Sequence, residues 1–403
     1  MSARIRKRTF DVLRIAVCVA ALWIVLRGVT LRDRILLRNG QTLTGRLEQN
    51  DDIVVVALAD GTRREIVRSD LAVDPRGEPR IQIGLATAIR DAHKALLFLA
   101  VLIHFPVGFI QALRLQWLLR VQGISLSYWQ NVKLSFAGNF LNFATPLGSN
   151  AGDVFKAYFV TTHTDHKTEA AATIVLDRVI GLGTLLICVA LITLLASHDP
   201  RLARVQPYVL TMLAIAVVAA AAYFAPVVRR RIPLDRMIAR WSFLSHVHRV
   251  DQTIRLLASR MTTLLGAVLL TVALQVLAIS AYFTVAVALC LDAHLGNVLE
   301  FFAYFYTGAV IQALPGPPQG LGTVELAYRY FFDPFGSPAQ IVCLALLARV
   351  VVLVCALPGL WVTLTGGYRP KAPVSDATRF AASRTRPVAD HDLAPPKGLE
   401  HVR

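Results

Sequence analysis

Two apolar stretches of this chain break off in the same manner, and the break limits what the chain can fold into. Phe136 to Tyr158 reads F-A-G-N-F-L-N-F-A-T-P-L-G-S-N-A-G-D-V-F-K-A-Y. It begins like a membrane helix. Pro146, Gly148 and Gly152 then interrupt it, and Asn139, Asn142, Asn150, Asp153 and Lys156 make it polar. Non-helical backbone at membrane depth is tolerated only where protein or a watery cavity covers it. The stretch therefore predicts a half-helix that enters, bends and returns, in preference to a plain cytoplasmic loop after a short helix. Gly308 to Glu325, G-A-V-I-Q-A-L-P-G-P-P-Q-G-L-G-T-V-E, repeats the order: an apolar run with one amide, then Pro and Gly, then a carboxylate.

The likeness continues downstream. Val175 to Leu182 reads V-L-D-R-V-I-G-L and Leu346 to Leu353 reads L-L-A-R-V-V-V-L. Asp153 precedes Arg178 by 25 positions, and Glu325 precedes Arg349 by 24. A weak internal repeat with a broken segment in each half is the pattern of transporter folds, and it places a binding site between the breaks.

Composition agrees with a membrane setting. Apolar residues make up 55% of the 403, mean hydropathy is +0.54, and several runs reach the length of a span, about 20 residues. The fold expected is an all-α polytopic membrane protein. It has about six full spans, two re-entrant helical pairs in an inverted repeat, and a small extracytoplasmic all-β module. The net charge of +16 sits in short loops and termini, where the positive-inside rule puts it. Nucleic acid is accordingly not an expected partner. Cys18, Cys188, Cys290, Cys343 and Cys355 fall in apolar runs without metal-type spacing, and are read as small buried thiols.

Taken in order, residues 1–28 form a basic start and an apolar anchor over Phe10 to Leu26, with the N-terminus cytoplasmic. Residues 29–90 hold short alternating runs separated by Asn39-Gly40 and Asp60-Gly61, the strongest short-range hairpin signals. This β module resembles small Sm- or SH3-like barrels. It carries no catalytic set and is read as a packing or docking module, with an extracytoplasmic protein as its partner. Residues 91–366 form the membrane domain. Ala95 to Leu113 spans, Leu115 to Trp129 is expected as an interfacial amphipathic segment, and the first broken stretch enters from the cytoplasm. Ala170 to Ala196 spans outward, Pro200 to Gln206 is an outer loop, and Tyr208 to Val228 returns to the basic cluster Arg229, Arg230, Arg231, Arg236 and Arg240. Leu264 to Leu291 spans outward, the second broken stretch enters from outside, and Ala339 to Leu364 spans inward. Residues 367–403 are a Pro-rich charged cytoplasmic tail read as disordered.

Four blocks in order carry a resemblance. R-L-Q-W-L-L-R-V-Q-G-I, the first broken stretch, V-L-D-R-V-I-G-L and L-P-G-P-P-Q-G-L-G-T-V-E are similar to the lysylphosphatidylglycerol synthase transmembrane (flippase-like) family, over Ala95 to Gly366. The resemblance implies movement of a lipid between leaflets of the cell inner membrane, with anionic or polyprenyl-linked lipids as partners. The chain departs from the family pattern in three ways. It lacks the soluble aminoacyl-transferase domain, it has Gly148-Ser149-Asn150-Ala151-Gly152 where relatives show paired glycines, and it adds the β module. The first departure removes aminoacyl-lipid synthesis from the expected activities, so no enzyme is expected.

The candidate site residues follow from cost. Ionisable groups inside a membrane are expensive and default to function. Arg178 and Arg349 are candidates for a lipid phosphate, which guanidinium meets with two hydrogen bonds. Asp153 and Glu325 are their resting partners, or receive a cationic headgroup or a proton. The competing reading makes these structural ion pairs. Lys156 and Arg114 gather anionic headgroups at the inner surface, although a snorkelling topological charge fits Arg114 better. Asn142 and Asp177 complete the polar set. Gly148, Gly152, Gly320 and Gly322 let the backbone bend, and Pro146, Pro315 and Pro318 end or interrupt the half-helices. No cofactor or metal is expected: His163 with His166 and His246 with His248 lack further ligands. Ser149 is misplaced for a nucleophile elbow, and Gly181-Leu-Gly183 lacks a third glycine. Without a Walker loop, nucleotide-driven pumping by this chain alone is not expected. A lipid translocase leads. A membrane-embedded glycosyl- or lipid-transferase using a polyprenyl-linked donor, and a non-transporting scaffold, are the alternatives.

Overall fold

The computed structural model describes residues 32–50, 53–58, 62–73, 81–82, 84–144, 150–162, 164–225, 242–313 and 320–365. The Phe10 to Leu26 anchor, Asp60-Gly61, His163, the Arg229 to Arg240 cluster and the tail lie outside these residues. So do Pro146, Gly148, Pro315 and Pro318.

The first unit is a five-stranded antiparallel sheet of β1 (Asp33–Leu36), β2 (Thr42–Asn50), β3 (Ile53–Leu58), β4 (Arg63–Val67) and β5 (Ile81–Gln82), in the order β4-β3-β2-β1-β5. Among the described residues the sheet is open, with β4 and β5 as its edges, rather than a closed barrel. Asn39-Gly40 makes the first turn as expected. Gly40 N donates to Leu37 O at 3.0 Å, and Asn39 Oδ1 accepts from Gln41 N at 2.9 Å. Ile35, Val54, Val56, Ile66 and Leu71 form a small apolar core. Asp33 is fully buried and ties this sheet to the helices. Its carboxylate accepts from Leu47 N and Gly84 N, both at 2.6 Å, and from Thr87 Oγ1 at 2.9 Å.

The helices follow: α1 (Leu85–Asp91), α2 (Lys94–His104), α3 (Val107–Val121), α4 (Tyr128–Ala144), α5 (Ala151–Thr161) and α6 (Lys167–Leu195). Then come α7 (Pro200–Phe224), α8 (Ser242–Ser259), α9 (Met261–Ala288), α10 (Val298–Ala313), α11 (Thr323–Phe332) and α12 (Pro338–Thr365). Five stretches are long and apolar enough to cross a membrane: Lys94–Val121, α6, α7, α9 and α12. The protein is thus a mostly helical polytopic membrane protein.

Three expectations are corrected. Leu115 to Val121 is not interfacial: it prolongs the first described span. Leu115, Leu118 and Leu119 are buried, and Trp117 packs against α9, leaving no room for a side chain at Gly266. Pro200 to Gln206 is not a loop but the first turns of α7. Pro200 has the preset φ of a helix start, and Asp199 caps it by accepting from Arg201 N at 2.9 Å. Cys290 is exposed in the turn after α9, while Cys343 and Cys355 are buried and Cys188 is half-buried.

Contacts sort the helix ends. His93 N donates to Ala288 O, joining the start of α2 to the end of α9. Gln340 Nε2 donates to Leu289 O at 3.0 Å, adding the start of α12. His198 meets Glu300 at 2.8 Å, and Tyr304 donates to Asp199, adding the start of α10 and the turn between α6 and α7. At the other end Gln122 Nε2 donates to Thr253 O at 3.2 Å and Tyr223 Oη to Asp251 at 2.5 Å, so α3 finishes and α7 finishes against α8. Aromatic rings pack the α10–α11 pair. Phe301 lies 5.0 Å from Phe332 and 4.9 Å from Phe335 between centroids, and Tyr304 stacks on Phe331 at 5.1 Å.

Candidate functional site

Each short helix, α5 and α11, begins after one of the breaks and carries a carboxylate at its third residue, Asp153 and Glu325. That position favours a negative charge, because the free N–H groups of the first turn give the helix start partial positive charge. The α5 start is capped from across the break: Asn142 Oδ1, near the end of α4, accepts from Gly152 N at 2.7 Å. In α11 the carboxylate itself does this, Glu325 Oε2 accepting from Gly322 N at 2.8 Å. Gly320 and Gly322 have φ of 64° and 84°, the left-handed region that side chains disfavour.

Both carboxylates meet an arginine from the next long helix. Arg178 of α6 pairs with Asp153, and both side chains are about a quarter to a third exposed. Arg349 of α12 pairs with Glu325 through two nitrogens, Nη2 reaching Oε2 at 3.2 Å and Gly320 O at 3.4 Å. Glu325 is only 1% exposed. Arg178 lies 11 residues after Lys167, the first residue of α6, and Arg349 lies 11 after Pro338, the first of α12. At 1.5 Å per residue that is about 16 Å, half the hydrocarbon thickness of a bilayer.

The remaining cations differ from one another. Arg114 is buried, not displayed at a surface. It forks onto Asp177 at 2.7 and 2.9 Å, and its Nη1 donates to Thr271 Oγ1 at 2.8 Å. This cluster joins α3, α6 and α9. Lys156 is 8% exposed and has no hydrogen-bond or ion-pair partner among the described residues. Its stem crosses Gly138 on α4, where a Cβ would lie 2.8 Å from the Lys156 Cε. In the other pair, Tyr328 crosses Gly308 in the same way, 2.4 Å from such a Cβ. Lys156 and Tyr328 each stand three residues after the carboxylate.

Two cavities lie in this region. One of about 220 Å³ is lined by His104, Gln111, Phe136, Asn139, Asn142 and Phe143, among others. Asn139 Nδ2 donates to Gln111 Oε1 at 2.9 Å, and buried His104 Nδ1 has no partner among the described residues. A smaller one of about 60 Å³ is lined by Tyr282, Gln312, Tyr328, Arg349 and others, and Phe143 and Val352 border both. His104, Gln111, Tyr282 and Tyr328 escaped the sequence reading. His104 alone carried a signal, as an ionisable residue inside the apolar run L-I-H-F-P. The others are identified only by what they face.

A family model described as the lysylphosphatidylglycerol synthase TM region matches residues 84–359, more than half of the chain. The match is to the transmembrane part of the synthase and not to its aminoacyl-transferase domain, so it carries no catalytic activity with it. No curated protein matches the chain.

Proposed function

The chain belongs to the lysylphosphatidylglycerol synthase transmembrane-region family, and on that premise we propose that it is a lipid translocase of the inner membrane. It moves an anionic or zwitterionic headgroup between leaflets past a midplane cavity flanked by the two breaks. The observation that carries this reading is the pair of matched carboxylate–arginine contacts, Asp153 with Arg178 and Glu325 with Arg349, together with two largely apolar cavities that carry a few polar side chains, Arg349 among those lining the smaller. The two breaks are read as re-entrant pairs entering from opposite faces. Support comes from α10, which begins at the His198 end, and α11, which finishes beside Arg201 of that end. The α4–α5 pair lies between α3 and α6, whose adjoining ends both meet α8. The further correspondence of Gly138 with Gly308 and Lys156 with Tyr328 supports an inverted repeat. The N- and C-termini are assigned to the cytoplasm and the β module to the outer face, where it serves as a docking surface.

The roles follow from charge. Asp153, Asp177 and Glu325 neutralise Arg178, Arg114 and Arg349, and Lys156 remains. Its side chain is largely buried and its ammonium has no acceptor among the described residues, so a headgroup phosphate would supply one. Lys156 therefore receives the phosphate, with Asn142 beside it holding the break. As the headgroup advances, Arg178 and then Arg349 exchange a carboxylate oxygen for a phosphate oxygen, a swap of like for like that keeps each guanidinium paired. Arg114 with Asp177 acts as a strut that fixes α6 against α3 and α9.

The test is leaflet-to-leaflet transfer of a labelled phosphatidylglycerol in liposomes. Lys156→Gln should remain monodisperse in detergent and lose most transfer, and Lys156→Arg should keep it. Undiminished transfer by Lys156→Gln removes the lysine from the path.

A further inference from the structure

A third cavity, about 520 Å³, lies away from the breaks, between the start of α7 and the end of α11. Asp199, Arg201, Arg204, Arg329, Tyr330 and Asp333 line it. Neither end was singled out by the sequence, where Pro200 to Gln206 read as a connecting loop. Two observations set the cavity apart.

The first is its charge arrangement. Arg201 and Arg204 are three residues apart on one helix and so share a face. Arg329 comes from the other helix. No ion pair joins the three guanidiniums to Asp199 or Asp333 among the described residues. Asp199 is otherwise engaged, accepting from Arg201 N and from the Tyr304 hydroxyl. Three like charges around one cavity repel, and they outnumber the two carboxylates that line it with them; Glu300, paired with His198, stands behind Tyr304 and Asp199 and not in the lining.

The second is an unmet donor. Arg329 Nη1 is buried without a hydrogen-bond partner. A charged donor left in that state is costly; Nη1 itself is closed to solvent, so an acceptor in the cavity meets it once the Arg329 side chain, which lines the cavity, turns. Guanidinium is suited to phosphate by its fixed fork of donors, and a cluster of them is the common way proteins hold that group. The start of α7 adds its own partial positive charge.

We propose that this cavity is a binding site for a phosphate-bearing anion, held by Arg201, Arg204 and Arg329. On the translocase reading it is the station where a headgroup waits at the face opposite the Lys156 entrance. That placement rests on the translocase reading. The anion site itself does not, because binding is measured without transfer.

The experiment reads the cavity locally. Tyr330→Cys, in a Cys290→Ser background, carries an environment-sensitive fluorophore on the full chain in phosphatidylcholine nanodiscs. The titrants are inorganic phosphate, dihexanoyl-phosphatidylglycerol and, as a neutral control, dihexanoyl-phosphatidylcholine. A response to phosphatidylglycerol alone assigns the site to a lipid headgroup. A response to phosphate as well assigns it to soluble phosphate compounds and supports the anion site equally. In either case Arg329→Gln should weaken binding about tenfold. Arg204→Gln, at an exposed position that does not threaten folding, should weaken it severalfold. Affinity unchanged in both variants, no response to either anion, or an equal response to phosphatidylcholine would overturn the proposal.

Discussion

Arg349 is held by a carboxylate that has almost no access to solvent, and this makes the pair sensitive to half-removal. Arg349→Ala leaves Glu325 buried without its cation, so the fold should lose about 3–5 kcal/mol. Glu325→Gln together with Arg349→Ala leaves no bare charge, and most of the loss should return. Thermal unfolding in detergent checks both. An equal loss in the single and double variants would mean that the guanidinium contributes by packing instead. Much of this chemistry was legible in the order of residues. A spacing of about two dozen positions between carboxylate and arginine, repeated, brought Asp153 to Arg178 and Glu325 to Arg349. The partner of Arg114 was not legible, because Asp177 lies 63 positions away on a helix that only the packing brings near.

At the scale of elements, the α4–α5 contact depends on two glycines meeting. A Cβ at Gly152 would sit 2.4 Å from Gly138 O, whereas one at Gly183 meets nothing within 4 Å. Gly152→Ala should therefore destabilise the protein by about 1–3 kcal/mol as the helices are forced apart. Gly183→Ala should be neutral or slightly stabilising, since alanine favours helix. Unfolding midpoints of the two variants decide this, and a similar effect of both would deny the close approach. Phe143 borders both interior cavities. Phe143→Ala should join them and raise the rate of lipid transfer in liposomes, and a lower rate would make the ring part of the path rather than its wall. The spans were readable as apolar runs, to within a few residues at most ends. The stretch after Leu113 misled because tryptophan and arginine beside an apolar run look interfacial. Trp117 packs on α9 and Arg114 is held by α6 and α9, helices that lie from 63 to more than 140 positions further on.

For the whole molecule, the account requires the two breaks to approach the membrane interior from opposite faces. In a cysteine-free background, single cysteines at Asn150 and Lys167 should react with a membrane-impermeant reagent from the cytoplasm. A cysteine at Arg204 should react only from outside. Labelling of Asn150 from outside would mean a full span there and would end the inverted repeat. The most direct test of the central claim compares two double variants for transfer of labelled phosphatidylglycerol between liposome leaflets. One is Asp153→Asn with Arg178→Ala, the other Glu325→Gln with Arg349→Ala. Both remove a charge pair as a unit, so both should stay monodisperse in detergent, and both should lose transfer. Wild-type transfer by either double variant would reduce that pair to a structural strut and contradict a headgroup path between the two breaks.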